Sequence, residues 1–175
     1  TTPEEKQFWD KRQLVKKINL NSLYGAILNP GCRFFDKRIG QSTTLTGRTI
    51  VKHMSAEANK VITGTYDHVG DAVIYGDTDS VYFSAYPTLK EGIDKGDIPW
   101  STENAIKLYD QVSDAVDGTF MDFMLEAFHC PKSRADVIAA GREIVAKSGL
   151  YITKKRYAAL VIDNEGFRTD IDGKP

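Results

Sequence analysis

Cysteine is scarce: Cys32 and Cys130 are the only two in 175 residues, far apart and with no CxxC or histidine-rich pattern around them. That spacing excludes a disulfide framework and a zinc ribbon, and predicts reduced thiols. No apolar run is long enough to cross a bilayer, and no basic-then-apolar leader opens the chain. Internal repeats and low-complexity tracts are absent too. A net charge of -1 removes the usual overall signature of a nucleic-acid binder.

What is present is an ordinary globular balance, 41% hydrophobic and 27% charged, in a length suited to one domain. The near-zero total hides segregation. Lys11, Arg12, Lys16 and Lys17 cluster early, Arg33, Lys37 and Arg38 follow, and Lys154, Lys155 and Arg156 lie late. From Glu91 to Glu126 acids dominate. A basic working face with an acidic back binds nucleic acid at neutral overall charge. The chain opens without methionine and ends on the turn-like Asp172-Gly173-Lys174-Pro175, so it is expected to be a piece of something larger.

Leu20, Leu23 and Ile27 recur at helical spacing in a stretch without internal proline, which predicts a helix of about seven turns from Pro3 to Leu28. Thr2 caps it, and Asn29-Pro30-Gly31 stops it. A second helix is predicted from Lys37 to Ile62, ending at Gly64. A hairpin then runs through Ala72-Val73-Ile74 and Val81-Tyr82-Phe83, followed by a loop from Pro87 to Ser101. A third helix is predicted from Thr102 to Phe128, with Gly118 as its weak point. Val137-Ile138, Glu143 to Val145, Leu150 to Ile152, Tyr157 to Ile162 and Phe167 to Ile171 read as strands, with a hairpin turn at Asn164 to Gly166. The order predicts an α+β fold, an antiparallel sheet covered by helices on one face.

Three constellations carry chemistry. Tyr75-Gly76-Asp77-Thr78-Asp79-Ser80 puts two carboxylates one residue apart at a hairpin tip. Mg²⁺ takes oxygen ligands and needs one or two carboxylates plus substrate phosphates. The plainer reading is turn chemistry, since aspartate bonds its own backbone. In Lys17-Ile18-Asn19-Leu20-Asn21-Ser22-Leu23-Tyr24-Gly25, an ammonium, an amide and a phenol share one helix face at i, i+4 and i+7. Together they can grip a nucleotide, and Gly25 marks a close approach. Lys154-Lys155-Arg156-Tyr157 opens a strand with three cations beside an aromatic, suited to a nucleic-acid backbone or to guarding a sheet edge.

With these three in order, the chain resembles the palm and part of the fingers of a family B DNA-dependent DNA polymerase of the T-even bacteriophage type. Lys17 to Gly25 matches a Lys-x-x-x-Asn-Ser-x-Tyr-Gly motif, Tyr75 to Ser80 a Tyr-Gly-Asp-Thr-Asp-Ser motif, and Lys154 to Tyr157 a Lys-Lys-Arg-Tyr motif. The resemblance implies that residues 1–29 are the second fingers helix and residues 30–175 the palm. It implies that Asp79 and Asp77 are catalytic and ligate two Mg²⁺ ions, and that Lys17, Asn21, Tyr24 and Gly25 bind the incoming dNTP. Tyr75, Gly76, Lys154, Lys155, Arg156 and Tyr157 would bind primer-template DNA, with Glu143 as a supporting carboxylate after Arg142.

The implied reaction is attack of a primer 3′-hydroxyl on the α-phosphorus of a dNTP in DNA replication. The upstream palm aspartate motif, the exonuclease region and the thumb have no counterpart here. The chain is therefore expected to be inactive alone and to need those missing polymerase regions, in the same longer chain or in a separate subunit. A sliding clamp would be reached through regions absent here. The expected location is cytoplasmic, in the host cell if viral. Two other readings stand beside it: a subunit of a split polymerase, and a glycosyltransferase whose DxD holds a metal against a nucleotide-sugar diphosphate.

Overall fold

Thr2 begins the first helix by a reciprocal cap: its hydroxyl accepts from the Glu5 amide at 3.2 Å, and the Glu5 carboxylate accepts from the Thr2 amide at 2.9 Å. In the computed structural model, which describes residues 2–171, that helix (α1) runs Pro3–Leu28 and α2 runs Lys37–Thr63. Both match the sequence expectation. Gly64 ends α2 at φ +83, a left-handed geometry open to glycine at no steric cost. The tail Asp172 to Pro175, expected as a turn, lies outside the described residues.

The chain forms two compact units that divide between Thr49 and Ile50. In the first, α1 buries none of its residues, and the predicted stripe is not covered: Leu20 and Leu23 are exposed and Ile27 is half-buried. The amide of Asp36 donates to the carbonyl of Ile27, and the side chain of Leu28 lies over Gly40, where a Cβ would meet it at 1.9 Å. Only glycine admits that approach.

The second unit holds the apolar core. Ala58 on α2, Val112 and Val116 on α4 (Thr102–Asp117), and Phe120 on α5 (Phe120–Phe128) form its buried centre. Ile50, Met54, Ile62, Phe83, Phe123, Ile138 and Ala140 pack around them. The single helix expected over Thr102 to Phe128 is thus two, broken at Gly118 and Thr119. The Thr119 hydroxyl donates to the Val116 carbonyl at 2.7 Å, which favours ending α4 there. The predicted loop from Pro87 to Ser101 holds α3, Tyr86–Asp94, because proline in the first turn lacks only an amide that would be orphaned anyway.

Strands β1 (Val73–Asp77) and β2 (Ser80–Phe83) pair antiparallel in one sheet. A second sheet has β3 (Ile144–Thr153), β4 (Arg156–Asn164) and β5 (Phe167–Arg168) in that order, also antiparallel. The architecture is α+β, with two sheets in place of the single one expected. The two strands expected at Glu143 to Val145 and Leu150 to Ile152 are one, β3, and Val137-Ile138 is not a strand. Ile138 packs on the core from an irregular segment instead.

Buried polar groups position the strands. Asn59 on α2 is 2% exposed, and its amide donates to the Thr65 carbonyl and the Thr63 hydroxyl and accepts from the Ala72 amide. It ties the end of α2 to the residue that leads into β1. Arg142 reaches Asp110 on α4 and Asp163 on β4, and Asp163 also accepts from the Gly166 amide in the next turn.

Candidate active site

Asp77 closes β1 and pairs with Ser80, so the two intervening residues, Thr78 and Asp79, form the whole turn. Thr78 takes φ +48, rare for a β-branched residue, and this tight reversal brings the Asp79 amide onto the Asp77 carbonyl at 2.5 Å. The Thr78 hydroxyl donates to the Asp77 carboxylate at 3.0 Å. Burial alternates along β1, so Val73, Tyr75 and Asp77 share the inward face. Asp77 is half-buried, and Asp79 is exposed at the tip.

The basic motif folds as a second hairpin with the same construction. Thr153 pairs with Arg156, leaving Lys154 and Lys155 as its turn, and Lys155 takes φ +62. This turn meets the acidic hairpin: the Lys155 amide donates to the Tyr75 hydroxyl at 2.9 Å, and the Lys155 ammonium lies 3.8 Å from the Asp77 carboxylate. The Lys155 side chain is 75% exposed, so that ion pair contributes about 0–1 kcal/mol.

Aromatic packing makes the larger joint. Tyr75, Tyr82, Tyr151 and Tyr157 come one from each of β1 to β4, and their six ring pairs have centroids 5.2–5.8 Å apart. Tyr82 and Tyr157 also share a phenol–phenol hydrogen bond of 2.8 Å. That bond, followed by burial and the neighbouring phenols, raises the Tyr82 pKa; burial first, then Tyr157, raises that of Tyr151. Tyr82 and Tyr151 have no place in the motifs. Register in the sequence signals only the first: a two-residue turn after Asp77 sets Tyr75 opposite Tyr82, whereas Tyr151 comes opposite Tyr157 through a register irregularity between Tyr151 and Thr153.

As a metal site the acidic turn has the right donor chemistry. Asp77 and Asp79 supply hard carboxylate oxygens, the minimum Mg²⁺ asks of a protein. Among the described residues no group of three or more acidic, histidine or cysteine side chains gathers to hold a metal. Glu143 is exposed where the chain enters β3, and its carbonyl accepts from the Glu165 amide. Its neighbour Arg142 is structural. Burial opposes the Arg142 charge, but the hydrogen bonds it donates to Asp110 and Asp163 outweigh it and raise the pKa.

In the first unit, Lys17, Asn21 and Tyr24 lie along one face of the unbroken α1, all exposed. Tyr24 donates to the Thr44 hydroxyl at 2.8 Å, because that hydroxyl gives its own proton to the Gly40 carbonyl. At Gly25 a Cβ would meet nothing within 4 Å. Among the described residues, no neighbour therefore requires glycine at this position.

The acidic turn, with its hard oxygen donors, thus lies against a cationic hairpin. The family model for DNA polymerase family B matches residues 1–95. The chain is 31% identical to the DNA-directed DNA polymerase of Escherichia phage RB69, over 89% of this chain and 18% of that protein. It is 31% identical to the DNA polymerase delta catalytic subunit of Oryza sativa subsp. japonica, over 93% of this chain and 12% of that one. Enterobacteria phage T4 has a DNA-directed DNA polymerase 29% identical over 89% of this chain and 18% of its own length. No solved structure matches. The chain belongs to DNA polymerase family B, and it spans less than a fifth of the length of these relatives.

Proposed function

We propose that this chain is part of a replicative DNA polymerase, supplying the dNTP-contacting fingers helix and the metal-binding palm hairpin. The observation that carries this reading is the docking of the two hairpins, which sets the Lys155 ammonium 3.8 Å from the Asp77 carboxylate. A metal site for phosphoryl transfer and a cationic element for the DNA backbone thereby share one place. A nucleotide-sugar transferase needs the first and has no use for the second.

In this reading Asp79 and Asp77 hold Mg²⁺, which when bound polarises the attacking hydroxyl and offsets charge on the leaving pyrophosphate. Lys17 contacts the triphosphate as a point charge, Asn21 bonds it, and Tyr24 with Gly25 lines the pocket for the new base pair. Tyr75, Gly76 and Tyr157 form the floor under the primer end. Lys154, Lys155 and Arg156 neutralise the backbone and fix its register. Positioning and electrostatics do the catalytic work, and the remaining carboxylates come from polymerase regions beyond this chain.

The test combines this chain with a segment carrying the upstream palm aspartate and exonuclease regions and measures primer extension. We expect extension by the assembly and none by the chain alone, with Asp79→Asn abolishing it. Fluorescence anisotropy on a primer-template should lose roughly one unit of salt slope for each of Lys154→Ala and Lys155→Ala. Extension undiminished by Asp79→Asn, or tight binding of a nucleotide sugar with none of primer-template, would refute the reading.

A further inference from the structure

The acidic and basic hairpins belong to different sheets, with no ladder of backbone hydrogen bonds between them. Their alignment depends on side chains. The Lys155 to Asp77 pair is exposed and weak, and the Lys155 amide reaches only the tip of the Tyr75 phenol. What spans the gap is the four-ring cluster, of which two members lie outside every motif. Tyr82 stands on β2 and touches both Tyr151 and Tyr157 of the other hairpin. Tyr151 stacks on Tyr157 with ring planes 22° apart and touches both Tyr75 and Tyr82.

We propose that Tyr82 and Tyr151 are positioning residues that clamp the basic hairpin onto the acidic one and so fix where Lys155 stands relative to Asp77 and Asp79. This rests on the reading of those aspartates as metal ligands and of Lys155 as a DNA contact. Tyrosine suits the task because its ring has only two torsions to freeze, presents faces and edges to several partners, and ends in a hydroxyl that needs a partner when covered. The two clamps act differently. Tyr82 contributes its ring and the phenol bond to Tyr157. Tyr151 contributes its ring, so phenylalanine replaces it without loss.

The experiment labels the two turns with nitroxides at Thr78→Cys and Lys154→Cys in a chain carrying Cys32→Ser and Cys130→Ser, and reads the distance between them by pulsed electron resonance. The chain with its tyrosines intact gives a single narrow distance distribution. The Tyr82→Leu, Tyr151→Leu double variant loses it, while Tyr151→Phe alone keeps it. The cluster is separate from the helical core of Ala58, Val112, Val116 and Phe120, so a cooperative melt shows that the double variant still folds. Should it not fold, Tyr82→Phe with Tyr151→Leu takes its place, and a narrow distribution that survives loss of the Tyr151 ring and the Tyr82 hydroxyl together overturns the clamp equally. A narrow distribution that survives loss of both rings overturns the clamp.

A second arm adds Mn²⁺ to the ¹⁵N-labelled chain. Broadening of the Asp79 and Lys155 amides together, with the Lys155 broadening lost in the double variant, supports the proposal. Absence of broadening at Asp79 in the unaltered chain overturns the metal reading, while the distance measurement still decides the clamp by itself.

Discussion

Asn59 and Gly70 offer a test of how the acidic hairpin is anchored, because each is placed by the other. Replacing Asn59 with alanine leaves the buried Ala72 amide without its acceptor, which costs about 1–3 kcal/mol. Its donations to Thr65 and Thr63 go as well, at about 1 kcal/mol each before water compensates the more exposed acceptors. We expect Asn59→Ala to destabilise by about 2–4 kcal/mol. A Cβ at Gly70 would stand 2.2 Å from Cγ and Nδ2 of Asn59 and 2.4 Å from Oδ1. Gly70 is not among the residues of positive φ, so backbone strain does not enter. Gly70→Ala therefore acts by overpacking, at about 1–3 kcal/mol, through displacement of the same amide.

Once Asn59 is alanine the clash is gone, and Gly70→Ala should become neutral or stabilise by about 0.4–1 kcal/mol through the unfolded chain. The double-mutant cycle in urea should then show a coupling of about 1–3 kcal/mol. With a slope of about 1–3 kcal/mol per molar, that is a midpoint offset near 1 M from additivity. Additivity within about 0.5 kcal/mol would refute the reasoning.

Arg142→Met should destabilise by about 3–5 kcal/mol, because Asp163, with 3% of its side chain exposed, is left charged and unpaired. A urea midpoint reads it, and partial relief by Asp163→Asn in the same background identifies the orphaned charge as the cause. His53 should make stability fall on acidification. Burial chiefly lowers its pKa from 6.5, so the folded ring stays neutral while the unfolded one takes a proton. That contribution is complete above pH 6.5 and is lost as pH falls from there through the folded value; urea midpoints should show the decline, and His53→Gln should flatten it. Thr78→Gly should raise the melting temperature modestly. Relief of a left-handed β-branched residue, about 1–2 kcal/mol, outweighs the added entropy of glycine, about 0.5–1 kcal/mol, only so far as the exposed hydroxyl bond to Asp77 contributes at the low end of about 0.5–1.5 kcal/mol, so a fall in melting temperature would show that this bond dominates.

What the sequence made legible was local. The Thr2 cap, the hairpin tip at Asp77 to Asp79, and the turn at Asn164 to Gly166 each depend on residues within four positions of one another, and all three formed as read, the cap gaining the return bond from Glu5. The misreadings came where distant contacts decide. Pro87 reads as loop punctuation until its place in the first turn of α3 is known. Gly118 reads as a tolerated weakness, yet Thr119 next to it accepts from Nε2 of His53, 66 residues away. Because the Thr119 hydroxyl donates to Val116, the His53 proton sits on Nε2, and Nδ1 accepts from Tyr66. Such a network has no periodicity to detect. Tyr82 and Tyr151 were invisible for the same reason, since only the meeting of two hairpins gives them a role.

The two groups of candidate residues differ in how far the chain itself prepares them. Asp77, Tyr75, Lys155 and Tyr157 are fixed by two ladders, an aromatic cluster and the Asn59 and Arg142 anchors, all within one unit that has its own core. The packed rings of Tyr75 and Tyr157 keep little rotamer entropy to lose on binding, while the Lys155 side chain, 75% exposed, keeps most of its own. Lys17 and Asn21 stand on a helix that buries nothing, and of their face only Tyr24 is tied, by one hydrogen bond to Thr44. In the proposed reading, holding a triphosphate there would freeze the exposed Lys17 side chain, which costs about 0.5–1.5 kcal/mol on its own. Binding at the acidic hairpin should therefore tolerate conservative changes in its surroundings as long as the clamp holds. In the proposed reading, nucleotide affinity at α1 should respond directly to any packing against the exposed Leu20 and Leu23, because such packing would preorganise the face.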